Sequence, residues 1–112
     1  MVEIPLRDRF DAAMHHLYGT IVRECGGHYH PRDLYKMIDN HGGLATAHIL
    51  LRDPNFFTYG LSRLCELGRP DLTMEAMILE LDYKGELFSE KELATARERL
   101  EAGKQMYGNK LH

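Results

Sequence analysis

Residues 68–76 read GRPDLTMEA, an arginine, two acids and a threonine set between two apolar runs. Two readings compete. In the first, Gly68 closes one helix and Thr73 opens the next as an N-cap. Leu72 and Met77 are spaced as a hydrophobic staple, Glu75 lies in a first turn whose backbone end is positive, and Arg69 pairs with Asp71. In the second, Asp71 and Glu75 are an acid/base pair and Arg69 clamps an oxyanion or phosphate. No nucleophile, Gly-rich loop or acid/base histidine lies close in sequence, and each charge already has a capping or pairing use. A joint between helices is therefore expected.

Working outward, the apolar periodicity is helical on both sides. Leu6, Phe10, Ala13, Met14, Leu17, Ile21 and Cys25 recur at steps of three and four, one face of a long helix that starts around Pro5. His15 and His16 fall off that stripe. Gly26 and Gly27 are expected to end the helix through a left-handed cap. Pro31 and Asp33 open a second helix carrying Leu34, Met37 and Ile38, which Gly42 and Gly43 stop. A third helix over GLATAHILLR must end near Arg52, because Pro54 follows Asp53. Phe57, Leu61, Leu64 and Cys65 mark a fourth, and AMILEL a short fifth after Thr73.

The last helix carries the clearest local signal. In FSEKEL, Ser89 and Glu92 form a capping box with Phe88 and Leu93 as its staple. Leu93, Ala96 and Leu100 face inward, whereas Glu90, Lys91, Arg97, Glu98 and Glu101 form the solvated face. Gly103 and Gly108 are expected to fray a loosely ordered tail over 104–112. No period-two pattern occurs. The expected fold is all-α, a compact orthogonal bundle of five or six short helices in a single domain over 1–112.

Composition narrows the function. An apolar fraction of 44% with 28% charged residues describes a soluble globule. The charged start MVEIPLRDRF is unlike a signal peptide, and no apolar run approaches the length of a membrane span, so a cytoplasmic protein that does not enter the membrane is expected. A net charge of −3, spread evenly, disfavours nucleic acid. A helix-turn-helix over residues 32–52 is a minority alternative, weakened by a second helix too apolar to read bases. Cys25 and Cys65 read as buried free thiols. A homodimer through the first helix is open, without a heptad pattern to support it.

Six of the seven histidines fall before residue 49, and CGGHYH brings Cys25, His28 and His30 together in sequence. That set is the one alternative with metal chemistry, a small zinc-dependent enzyme or accessory, but its spacing matches no common zinc pattern. Otherwise no cofactor is expected. In NFFTYG, the rings of Phe56, Phe57 and Tyr59 cannot all point inward. At least one of them, with Tyr29 as a lesser candidate, is expected to anchor a protein partner.

The run from Gly42 to Leu100, with its GG…ATA…ELGRxDLTxEA joint, its LF[ST]xxE cap and its ARxRL ending, resembles a recurring module of uncharacterised bacterial proteins. The resemblance extends weakly upstream to the first helix. It implies a small α-helical unit that occurs alone or appended to larger proteins, some of them restriction or nuclease-like, with no assigned reaction. Pro70 and the aromatics of FFTYGL depart from that pattern. The expected function is a non-enzymatic helical interaction module, an accessory or inhibitor in bacterial defence or mobile-element biology.

Overall fold

In the computed structural model, which describes residues 3–53 and 58–108, the chain forms six α-helices and no strand among those residues. They are α1 (Leu6–Cys25), α2 (Arg32–His41), α3 (Gly43–Arg52), α4 (Thr58–Glu66), α5 (Met74–Leu81) and α6 (Glu90–Gly108). A single 3-10 turn, Pro70–Leu72, links α4 to α5. The protein is an all-α bundle, and none of its described helices is long and apolar enough to cross a membrane.

The stripe on α1 becomes the floor of the core: Phe10, Met14, Leu17, Ile21 and Cys25 are buried, while His15 and His16 are exposed. Above it lies α3, the helix with the most complete burial, where Leu44, Ala47, Leu50 and Leu51 join Ile78 of α5 and Ala96 of α6 in one apolar cluster. The Phe10 ring meets Phe88 edge-on at 5.3 Å. A second cluster of Leu61, Cys65 and Leu100 joins α4 to α6.

The joints differ from expectation in physically instructive ways. Gly26 is right-handed, φ −59, so α1 does not end in a left-handed cap. The chain turns instead because the N–H groups of His28 and Tyr29 both donate to the Cys25 carbonyl, at 2.8 and 2.7 Å. Gly42, with φ +85, does take the left-handed region and stops α2. Gly43, expected to stop that helix too, begins α3, and its missing side chain lets the helix approach α1. A Cβ there would lie 2.8 Å from the Met14 Cβ and 3.0 Å from the Asp11 Cα.

The tail expected over 104–112 is also corrected in part. Helix α6 continues through Gly103 to Gly108, and residues 109–112 lie outside the described residues. Gly103 is buried, and a Cβ on it would sit 2.8 Å from the Cys65 Sγ, so this glycine sets the α4–α6 spacing rather than fraying a helix.

Gly43→Ala should cost about 1–3 kcal/mol of stability through overpacking against α1, whereas Gly27→Ala, whose Cβ meets nothing within 4 Å, should stay within about 0.5 kcal/mol of the parent. Urea denaturation of the two variants checks this. Equal midpoints would show that the α1–α3 approach is not tight.

Candidate functional site

At GRPDLTMEA the structure builds the expected joint and then departs from it at one residue. The end of α4 folds back through Gly68, φ +77, with the N–H of Arg69 donating to the Leu64 carbonyl at 2.8 Å and that of Gly68 to Cys65 at 3.0 Å. This is the paired bonding of a Schellman cap. The Thr73 hydroxyl donates to the Pro70 carbonyl at 2.8 Å and accepts from the Ala76 N–H at 3.2 Å, closing the 3-10 turn while capping α5.

Arg69 does more than pair locally. It grips Asp71 with two nitrogens, 3.1 and 3.0 Å, and Glu24 at the end of α1 with a third, 2.7 Å. The hydrogen bonds to Asp71 and then Glu24 raise the arginine's pKa, and the same Arg69 contact holds the Asp71 carboxyl below its ordinary value. The joint is thereby tied to the far end of the first helix. All three side chains remain open to solvent, where such pairs stabilise weakly.

Glu75 is the departure. It lies in the first turn of α5 as expected, but its side chain is fully buried, and both carboxyl oxygens lack a hydrogen-bond partner. The charged form is opposed by burial and favoured, more weakly, by its own backbone N–H, which stands outside hydrogen-bond geometry, and by the charge of Arg99, so its pKa is pushed up to about 8. Burial, reinforced by Glu75, also raises the Cys65 thiol. Asp71 faces solvent while Glu75 faces the interior, so the two do not form an acid/base pair. Sequence spacing placed Glu75 correctly on the helix but could not show which way it faces.

The capping box forms as expected. The Glu92 N–H donates to the Ser89 Oγ at 3.1 Å and the Ser89 N–H donates to the Glu92 Oε1 at 3.0 Å. The other carboxylate oxygen takes a 2.6 Å bond from the His48 Nδ1 of α3, whose ring stacks on Phe88 at 4.6 Å. Burial opposes the Glu92 charge, but the Ser89 N–H and His48 outweigh it and lower its pKa.

Cys25, His28 and His30 do not converge. Cys25 is buried, whereas His28 and His30 are exposed, and His30 meets the Tyr18 hydroxyl at 3.0 Å through its Nε2. Among the described residues no group of three histidine, cysteine or acidic side chains could hold a metal ion. Helix α3 is packed on α1, α2 and α6 with Leu44, Ala47, Leu50 and Leu51 turned inward, and Ala45, Ile49 and Arg52 are its exposed residues.

Of the aromatic anchors, Phe56 and Phe57 lie outside the described residues, and Tyr59 is described only as part of the α4 backbone. Tyr29 is half-buried, and its hydroxyl would stand 2.8 Å from a Cβ on Gly60. It lines a half-open cleft of about 400 Å³ between the 29–34 segment and the bundle. Leu17 and Ile21 of α1, Leu34 and Met37 of α2, Leu50 of α3 and Leu64 of α4 supply its apolar walls. His30, Arg32 and Asp33 form a polar mouth. The segment above is pinned by Arg63, whose guanidinium donates twice to the His28 carbonyl at 3.3 and 3.1 Å. Sequence reasoning missed this cleft, since its lining comes from five helices, Met74 of α5 among them, and each wall residue looked like ordinary core.

The folded carboxyl of Glu75 binds its proton up to about pH 8, but an unfolded glutamate only up to its ordinary value of 4.5. Between those values the folded state holds more protons, so stability falls as pH rises, by up to about 1.4 kcal/mol per pH unit. Glu75→Gln removes that slope. Urea melts from pH 5 to 9 should show the variant gaining on the parent up to about pH 8 and then running parallel to it; parallel curves throughout would contradict the buried-acid reading.

Comparison of the chain with protein-family models, with curated proteins and with solved structures finds no match.

Proposed function

We propose that this protein is a helical interaction module that receives one apolar side chain of a protein partner in the cleft beneath residues 29–34. The observation that carries the reading is the cleft itself. Its walls are aliphatic, its mouth is polar, and about 400 Å³ is room for one large side chain with some backbone around it. A desolvated apolar pocket with a polar rim is the form that binding hot spots take. Beside it, the half-exposed Tyr35 stacks on Tyr18 with ring centroids 5.1 Å apart, offering a flat aromatic surface next to the mouth.

Both charge signs stand at the rim, Arg32 and Asp33, which suits a polypeptide with mixed polarity better than a polyanion. The resemblance to bacterial modules adds a setting, an accessory or inhibitor role in defence or mobile-element biology, and genes neighbouring the coding sequence would test that part. Burying one aliphatic or aromatic anchor in such a pocket contributes about 1.5–3 kcal/mol, or roughly ten- to a hundredfold in affinity.

A photo-crosslinking amino acid placed at Met37, inside the cleft, should capture a discrete polypeptide in cells, and the same group at the exposed Tyr83 should not. Adding Leu34→Trp, which fills the cleft, should abolish the Met37 adduct while the protein stays folded. Capture that is equal from both positions, or that survives Leu34→Trp, would remove the cleft from the interface.

A further inference from the structure

The walls of the cleft are unequal. Ile21, Leu50, Leu64, Leu72 and Met74 line it from helices or from the 3-10 turn and belong at the same time to the buried core, so none of them can move aside without opening that core. Tyr29, His30 and Pro31 line it from a stretch outside the helices.

That stretch is held from both sides. It leaves α1 through Gly26 and Gly27 and enters α2 at the buried Pro31. On the α4 side, the Arg63 guanidinium donates to the His28 carbonyl from Nε at 3.3 Å and from Nη2 at 3.1 Å. Gly60, one turn earlier on the same helix, makes room for the Tyr29 hydroxyl, which a Cβ there would approach to 2.8 Å. Tyr29 makes a further interaction of its own. On the α1 side, the Tyr18 hydroxyl meets the His30 Nε2 at 3.0 Å.

We propose that residues 28–30 are a strap that opens and closes over the cleft, and that Arg63 is its catch. The partner's side chain enters and leaves when the guanidinium lets go of the His28 carbonyl and the strap swings on Gly26 and Gly27. This rests on the reading of the cleft as a partner's pocket and adds how entry to that pocket is controlled.

The physical chemistry favours this part of the wall over the others. The bonds of Arg63 and Tyr18 to the strap lie at the surface, where water takes the place of each partner as it leaves, so releasing them costs little net free energy. Parting the helices beneath would expose apolar core to water instead. Local opening therefore starts at the strap. The two glycines stand at its α1 end, where free backbone torsions are needed for a swing.

Arg63 is also placed to fasten the strap again. Its third nitrogen, Nη1, donates to Glu66 at 3.1 Å, three residues on along α4. A planar guanidinium serves both acceptors at once. When the carbonyl departs, Glu66 keeps the guanidinium on the α4 surface, ready to take the carbonyl back. Because the group it grips is backbone, the catch fixes the path of the strap and not one side chain.

Two measurements on the full chain test the proposal. Amide exchange at Tyr29, whose N–H donates to the Cys25 carbonyl at 2.7 Å across the glycine pair, reports the strap, and the Ile21 amide in α1 reports global opening. Stopped-flow binding of the fluorescent apolar probe anilinonaphthalene sulfonate reports the cleft, with Leu34→Trp as the filled control. Arg63→Gln should speed Tyr29 exchange about tenfold with Ile21 unchanged, and should raise the association and dissociation rates of the probe by a similar factor. Tyr18→Phe, which removes only the hydroxyl, should act in the same direction by about threefold. Loss of a simple binding contact would raise dissociation alone, so a rise in both rates marks a gate. The strap is overturned if Arg63→Gln leaves Tyr29 exchange or the probe's rates unchanged, or if Ile21 exchange quickens together with that of Tyr29; the cleft reading survives that result as long as Leu34→Trp abolishes probe binding. A parent that binds no probe, or a Leu34→Trp variant that binds it as the parent does, removes the cleft reading and the strap with it.

Discussion

Helix α3 packs between α1, α2 and α6 and has no side-chain cap at Gly42, its N-cap, and two charges from distant parts of the chain hold its ends. At its start, Asp11 of α1 accepts the Leu44 N–H at 2.8 Å. At its finish, Arg99 of α6 gathers the last carbonyls. A ten-residue helix is too short to persist in water by propensity alone, so its ends and its packing decide whether it forms. Three helices take their places against it: α1 beneath, close because Gly43 has no side chain, α2 folded back through Gly42, and α6 alongside.

The turn into α6 follows the same logic of one acid serving many backbone groups. Asp82, buried at the end of α5, accepts from the N–H groups of Glu86, Leu87 and Phe88 at 2.8 to 3.1 Å. Those bonds carry the chain round and set Phe88 into the core against Phe10 and His48. Once Phe88 is fixed, Ser89 stands where the capping box needs it. The shared carboxylate of Glu92 then joins that box to α3.

Local signals made the helices readable. Stripes at steps of three and four gave the buried face of α1 residue by residue, and Thr73, Ser89 and Glu92 act on backbone within three residues of themselves, so their spacing is enough to reveal them. What stayed hidden depends on partners remote in sequence. Asp11 and Arg99 carry no local signal, because the ends of α3 that they serve lie more than thirty residues away along the chain. Gly43 and Gly103 read as breaks because composition cannot separate a glycine that ends a helix from one that admits a neighbour. Glu75 is the sharpest case: a first-turn glutamate is commonplace, and only the packing of α4 and α6 over α5 shows that it is sealed from water. The cleft was illegible for a related reason, since it is a gap between five helices whose residues are each unremarkable.

The close approach of Gly103 to Cys65 gives the molecule a reporter of its own motion. The sulfur is buried where even a methyl group on the facing helix would collide with it, so no reagent can bond to Sγ while α4 and α6 remain in contact. Any disulfide, oxide or alkyl adduct at this position records that the two helices have parted. The rate at which Cys65 is modified in the native protein is therefore lowered from that of a free thiol by the fraction of time that seam is closed.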